Sequence, residues 1–262
     1  MRPIEDTTIL ITGATDGLGR ALATRLHAER APLLLHGRDP QKLEALEAEL
    51  PGARTLQADF ASLDDVRRLA AGVDQVDVVV NNAGIGSGLP ERRERSESRD
   101  GYELRFQVNY LAGYLLTERL LDCLRHPARI VFVASLGQAP IDFGDVMLER
   151  NYTGIQAYCQ SKLAQIAYGM ALAERLDPQQ VTVNSLHPST FMPTKMVLAE
   201  RGAALDPLEQ GVDATHRLVA DPTLDGVTGR FFDREEETAP HPWALDPANR
   251  ERLVELSARL AA

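Results

Sequence analysis

The sequence predicts a doubly wound parallel α/β sheet with helices on both faces, built as one domain over residues 1–262. Three observations carry that expectation. Short continuous apolar runs alternate with longer amphipathic ones, the pattern of strands buried on both faces. A glycine-rich turn follows the first run and opens a helix. The length of 262 residues suits one large α/β domain better than two well-separated ones.

The elements follow in order. Residues 8–11 read as a buried strand, 18–30 as a helix and 33–35 as the second strand. A helix over 40–50, a short strand over 54–57 and a helix over 63–71 come next. Residues 76–80 form the fourth strand, followed by a long helix over 101–124. Residues 129–134 are the fifth strand, 157–176 a second long helix and 181–186 the sixth strand. Residues 230–232 are a candidate seventh. Two polar stretches, roughly 189–205 and 235–247, read as irregular loops at the mouth of the fold. The mixed-sign run Glu91-Arg92-Arg93-Glu94-Arg95 reads as a solvated loop.

Composition narrows the function. Hydrophobic residues make up 44% and charged residues 25%, as in an ordinary soluble globule. Acids outnumber bases 38 to 28, which argues against nucleic acid or an anionic membrane as the main partner. Two cysteines and six scattered histidines imply neither a disulfide scaffold nor a metal site. No apolar run approaches the ~20 residues that span a bilayer, and Met1-Arg2-Pro3-Ile4-Glu5-Asp6 does not resemble a signal peptide. The expected location is the cytoplasm.

Ligands of such sheets bind beyond the carboxyl ends of the strands. After the first strand comes Thr12-Gly13-Ala14-Thr15-Asp16-Gly17-Leu18-Gly19. Gly13 permits the tight turn, Gly17 lets backbone approach a pyrophosphate, and Gly19 lets helix and strand pack closely. The free N–H groups of the helix start suit that anion. After the second strand stands His36-Gly37-Arg38, with no acid to receive both ribose hydroxyls. Arg38 suits a 2′-phosphate, so NADP(H) is expected over NAD(H). Asp39 reads as a helix cap, and Asp16 in the turn works against phosphate. Asp59, followed by Phe60, ends the third strand, either to meet adenine or to cap the next helix. Asn81-Asn82-Ala83-Gly84 ends the fourth strand; Ala83 and Gly84 leave room for a flat ribose, and Asn81 reads as structural.

Tyr158-Cys159-Gln160-Ser161-Lys162 contains the chain's one Tyr-x3-Lys. Residues i and i+4 share a helix face, and a nearby ammonium favours the phenolate. Ser135 ends the fifth strand, where a substrate oxygen would lie. Asn109 interrupts the long helix as a poor helix former. His187 reads as a packed strand-end residue, and Pro188 turns the chain beyond the sixth strand.

The T-G-x3-G-x-G turn, N-N-A-G, Ser135 and Tyr-x3-Lys, in that order, resemble the short-chain dehydrogenase/reductase family. The gap between Ser135 and Tyr158 resembles its retinol-dehydrogenase-like branch. The likeness runs from Thr12 to about Pro188; where the family usually has Pro-Gly, this chain has Pro188-Ser189. It implies a Rossmann-type fold and hydride transfer between nicotinamide and a carbonyl or secondary alcohol. The implied catalytic set is Asn109, Ser135, Tyr158 and Lys162. In it Tyr158 supplies the proton, Lys162 lowers the Tyr158 pKa and binds ribose, and Asn109 holds a water against Lys162. The implied cofactor contacts are Gly13, Thr15, Asp16, Gly17, Leu18, Gly19, Arg38, Asp59, Phe60, Asn82, Ala83, Gly84, Tyr158, Lys162, Pro188 and Thr190. Leu136, Phe143, Tyr152, Phe191, Met192 and Met196 are candidates to surround an apolar substrate. The helices around Tyr110 and Ala164 pair across dimers in this family, implying a homodimer or homotetramer. Two other readings remain: a non-catalytic NADP(H) sensor, and an epimerase or dehydratase on the same fold.

Overall fold

A computed structural model describes residues 2–87 and 94–262, apart from the side chains of Met196 and Arg201. Most of the charge run at 91–95 thus lies outside the described residues. The chain forms an eight-stranded sheet in the order β3-β2-β1-β4-β5-β6-β7-β8. The strands are β1 (Ile9–Ile11), β2 (Leu33–Gly37), β3 (Arg54–Gln57), β4 (Val76–Asn81), β5 (Leu124–Val133), β6 (Val181–His187), β7 (Phe231–Asp233) and β8 (Glu236–Thr238). All neighbours run parallel except β8, which is antiparallel to β7. The strand order reverses between β1 and β4. The crevice above their carboxyl ends is the ligand position of a doubly wound sheet.

Alternate residues of the central strands feed two cores. Leu10, Val79, Ile130 and Phe132 join the side covered by α3 (Leu63–Ala71), α4 (Ala112–Leu120), α5 (Gly154–Arg175) and α9 (Pro247–Leu260). Ile9, Ile11, Val78, Val80 and Val131 join the side covered by α1 (Gly17–Ala28), α2 (Pro40–Glu49) and α7 (Leu208–Ala220). Local signals place the helix starts. Asp39 accepts from the N–H groups of Gln41 and Lys42, with Pro40 in the first turn. Ser62 caps α3 and Thr153 caps α5.

Four differences from the sequence expectations have physical causes. The long helix is broken in kind: a π-helical segment, Phe106–Leu111, precedes α4. β5 starts at Leu124, because a register shift between Val76 and Val78 lets Leu124 pair with Val76 before the apolar run begins. The stretch at 235–247 is not irregular. It holds β8, whose charged, three-residue edge carries no apolar pattern, and α8 (Pro242–Leu245). The stretch at 189–205 contains α6 (Lys195–Arg201), capped by Thr194 and ended by Gly202 in the left-handed region.

The surface expected to pair with a second copy is already covered. Tyr110 and Ala164 are fully buried in the single chain. The Tyr110 hydroxyl shares a hydrogen bond with Ser257 of α9 at 2.6 Å, and Leu253 of α9 lies in the same core as Ala164. The faces of these helices that carry Tyr110 and Ala164 are thus used within one chain. Among the described residues no helix is long and apolar enough to cross a membrane.

Candidate active site

The ends of β1 and β4 are clamped together. Thr12 Oγ1 accepts the N–H groups of Asn82 and Ala83, both at 2.9 Å, and the Asn82 amide donates to the carbonyls of Thr12 (2.8 Å) and Gly13 (3.2 Å). The Asn82 side chain thus clamps the two strand ends together. Gly13 and Gly17 hold positive φ, +68° and +52°. A Cβ on Gly19 would strike the Gly13 carbonyl and stand 2.5 Å from the Asn82 amide nitrogen. Asp16 takes the Gly17 N–H, and its carbonyl takes the Arg20 N–H. The N–H groups of Leu18 and Gly19 remain without a partner among the described residues, and such first-turn donors suit a pyrophosphate. The Leu18 side chain itself is core.

His36 ties the glycine turn to β2. Its Nδ1 accepts the Gly13 N–H at 3.2 Å, so Nε2 carries the proton and donates to the Ala58 carbonyl at 3.1 Å. Burial pushes its pKa down to about 4, which keeps it neutral. Phe60 stacks its ring on His36 at 4.3 Å in the interior, so any contact it makes to a ligand would be through its backbone. Asp59 does not cap α3. It accepts the Ala61 N–H and meets Arg99 at 3.3 Å, while Ser62 is the cap. Arg38 is exposed, and its guanidinium has no partner among the described residues. The Asp39 carboxylate caps α2, as expected.

Beyond β5 the polar residues converge. Ser135 Oγ accepts the Gly137 N–H at 3.0 Å and lies close enough to the Tyr158 phenol to oppose the rise in its pKa. Lys162, one turn further along α5, is 5% exposed. Its ammonium lies 5.8 Å from the centre of the Tyr158 ring and donates to the Val133 carbonyl (2.9 Å) and Gln165 Oε1 (3.0 Å). Asn109 sits in the π-helical segment, where the Ala112 N–H reaches back five residues to Gln107. Its amide donates to the Ile85 carbonyl (3.1 Å) and Ser161 Oγ (3.0 Å), and its Oδ1 accepts the Ile85 N–H (2.7 Å). A Cβ on Gly84 would come within 3.2 Å of Asn109 Oδ1 and 3.6 Å of the Lys162 ammonium. The bare glycine keeps the approach to that cation open for a ribose.

Burial dominates the electrostatics of the pair. Burial raises the Tyr158 pKa, the Ser135 hydrogen bond only partly opposing it, with Glu200 adding to the rise. Burial also pulls Lys162 down to about 7. Lys162 is not among the groups that shift the phenol, its ammonium being itself desolvated and hydrogen-bonded to Val133 and Gln165.

The segment after β6 crosses the crevice. Pro188 is buried, and the Thr190 hydroxyl is committed to His187 at 3.1 Å, with its N–H on Asp206 at 2.9 Å. A Cβ on Gly17 would lie 3.0 Å from the Thr194 methyl, and Glu200 of α6 accepts from Ser87 Oγ at 3.1 Å. α6 thus bridges the glycine turn and the loop after β4. Of the substrate candidates, Leu136 is 48% exposed beside Ser135. Phe191 is partly buried at a positive φ of 48°. Met192 packs against Gly211 of α7, in the core that also holds Leu18 of α1. The Tyr152 hydroxyl is spent on Arg105 (2.6 Å) and Glu103 (3.1 Å), and the Phe143 ring lies between Trp243 and Arg252. The Met196 side chain lies outside the described residues. Sequence reasoning missed Ile155 (67% exposed), Leu198 (45% exposed), Gln165 and Glu200. Ile155 stands one helical turn before Tyr158, a spacing that signalled it; Glu200 carried no local signal.

Comparison with known proteins agrees with this geometry. Residues 7–203 match the family described as short chain dehydrogenase. The chain is 34% identical to human retinol dehydrogenase 13, over 98% of this chain and 85% of that one. It is 32% identical to human retinol dehydrogenase 14, over 95% and 84%. Among solved structures, an uncharacterised protein of Mycobacterium paratuberculosis superposes with a TM-score of 0.82 at 27% identity, covering 98% of this chain and 93% of that one. Glycine turn, strand order and full-length likeness together establish that this chain belongs to the short-chain dehydrogenase family, in its retinol-dehydrogenase-like branch.

Proposed function

We propose that this oxidoreductase works with NADP(H) on a carbonyl or secondary alcohol of apolar character, in the cytoplasm, and that Ser135, Tyr158, Lys162 and Asn109 carry the chemistry. The observation behind the reading is the meeting of the Ser135 and Tyr158 hydroxyls beyond β5, with the Lys162 ammonium 5.8 Å from the phenol ring. When bound, the nicotinamide supplies or accepts the hydride. In reduction, Ser135 donates a hydrogen bond to the substrate oxygen and Tyr158 delivers the proton to it. Lys162 offers its ammonium to the ribose and restores the Tyr158 proton. Asn109 holds the loop at Ile85, and with it Ala83 and Gly84, against Ser161. Lys162, held in its charged form beside a bound anionic dinucleotide, would move the phenol in the direction catalysis needs.

Arg38, exposed and unengaged beside the acid-free end of β2, supports the 2′-phosphate. Leu136, Ile155 and Leu198, exposed on the segments around Tyr158, support an apolar substrate. The test is to titrate the purified protein with NADPH and NADH, then to screen ketones, aldehydes and secondary alcohols with the preferred cofactor. NADPH is expected to bind more tightly and to turn over. Tight NADH with weak NADPH overturns the cofactor reading, and binding without turnover across the panel overturns catalysis in favour of a sensor.

A further inference from the structure

The glycine turn carries an acid close to where a phosphate is expected, and the structure pairs it with a cation from a different helix. Asp16 Oδ1 accepts the Gly17 N–H at 2.8 Å, while Oδ2 meets the Lys42 ammonium at 3.1 Å. Lys42 belongs to the first turn of α2; its N–H, with that of Gln41, is held by the Asp39 cap. The pair bridges α1 to α2. With Thr15, Arg20, Ala45 and Leu46 it borders a cleft of about 140 Å³. Of the two cations there, Arg20 is engaged by Glu49, leaving Lys42 as the one that answers Asp16. The cleft lies beside the end of β2. Gly37 is pressed so closely by Thr15 that a Cβ would stand 2.5 Å from its methyl, and Arg38 comes next. That strand end is where the adenosine ribose of a dinucleotide is read.

Folding does not explain the pair. Its side chains are 42% and 51% exposed, and ion pairs that open to water add little to stability. Asp16 is nevertheless a firm anion. Burial works to raise its pKa, but Lys42, the Gly17 N–H and, at longer range, Lys195 hold it below the usual carboxylate value. An uncancelled anion there repels a dianionic phosphate on the neighbouring ribose.

We propose that Lys42 is a specificity-determining residue for the 2′-phosphate: it neutralises Asp16 and lends its ammonium to the phosphate opposite Arg38. This rests on the NADP(H) reading above. Lys42 turns a glycine turn whose acid disfavours the phosphorylated cofactor into one that accepts it.

The test is calorimetric titration of the full chain with 2′,5′-ADP and with 5′-ADP, adenosine probes that need no turnover. Lys42→Ala is expected to weaken 2′,5′-ADP by about tenfold or more, the loss of a charge-assisted contact. Its 5′-ADP affinity is expected to stay within about twofold, which also reports an intact fold. Asp16→Asn added to Lys42→Ala is expected to recover the part of the loss that comes from the uncancelled acid, leaving the part due to the lost phosphate contact. A Lys42→Ala variant that keeps the native preference, weakens both probes equally, or is not rescued by Asp16→Asn overturns the assignment. A native chain that binds 5′-ADP as tightly as 2′,5′-ADP overturns the NADP(H) reading first and this inference with it.

Discussion

Lys162 sits where an ammonium is costly: burial lowers its pKa to about 7, against 10.5 for a free lysine. Between those values the unfolded chain binds a proton that the native chain does not, so stability rises with pH across that window and is lost as pH falls toward 7. Replacing the lysine by an uncharged chain of similar length removes the dependence. Lys162→Met is therefore expected to gain most over the native protein near pH 6 and to lose that advantage by pH 10, read from urea unfolding at each pH. A constant gap across the range would mean that the native lysine stays charged. Tyr158→Phe tests the other half of the pair. It leaves Lys162 in place, so affinity for the proposed NADPH cofactor should change little while turnover falls by about 10²-fold or more, the loss of a general acid. Turnover near the native rate would remove Tyr158 from the mechanism. The helical spacing of Tyr158 and Lys162 was visible in the sequence, because i and i+4 face the same way. The direction of their pKa shifts was not, since it is set by burial, which depends on what the rest of the chain packs around them.

At the scale of elements, the loops that build the site are held by a buried ionic knot. Glu103 is fully buried, and its carboxylate receives the Phe106 N–H (2.6 Å), the Tyr152 hydroxyl (3.1 Å) and the Arg105 guanidinium (3.6 Å). Arg105 also donates to the Gly86 carbonyl at 2.7 Å, so one side chain ties the loop after β4 to the chain entering α5. Burial and the Glu103 charge push Tyr152 up to about 12, fixing it as a neutral donor. Arg105→Met leaves the Glu103 charge without its cation and is expected to cost ~3–5 kcal/mol in denaturant unfolding. Adding Glu103→Leu should recover much of that loss, and its failure to do so would show that the cost came from packing. The glycine turn is held by contact instead. Gly19→Ala forces α1 off Asn82 and should cost ~1–3 kcal/mol while weakening dinucleotide binding. Gly13, Gly17 and Gly19 were legible because a turn, a phosphate and a close crossing each call for glycine. The knot was not: nothing local to Glu103, Arg105 or Tyr152 states that they meet, and Tyr152 looked like a free aromatic near the site.

The whole molecule is shaped by its last helix. Strand order, parallel pairing and the placement of Ser135, Tyr158 and Lys162 at one end of the sheet follow from patterns that recur along the chain. α9 follows from none of them, because its role is set by what it covers. It packs on α5 and the π-helical segment, with Ser257 bonded to Tyr110, Tyr102 to the Leu260 carbonyl and Arg250 paired to Glu174. Leu253 and Ser257 are buried there. The helix faces that could have packed against a second copy are thus used within one chain, and a net charge of -10 adds repulsion between copies. The chain is therefore expected to sediment as a single 28.8 kDa species at micromolar concentration. The cause is tested by lifting α9. Leu253→Glu with Ser257→Glu places two charges against Tyr110 and its neighbours, which undocks the helix and bares the apolar face beneath it. That variant should associate, while the native chain stays single. A native chain that sediments as a stable dimer, and still does so after the double substitution, would show that it pairs through a surface α9 does not govern.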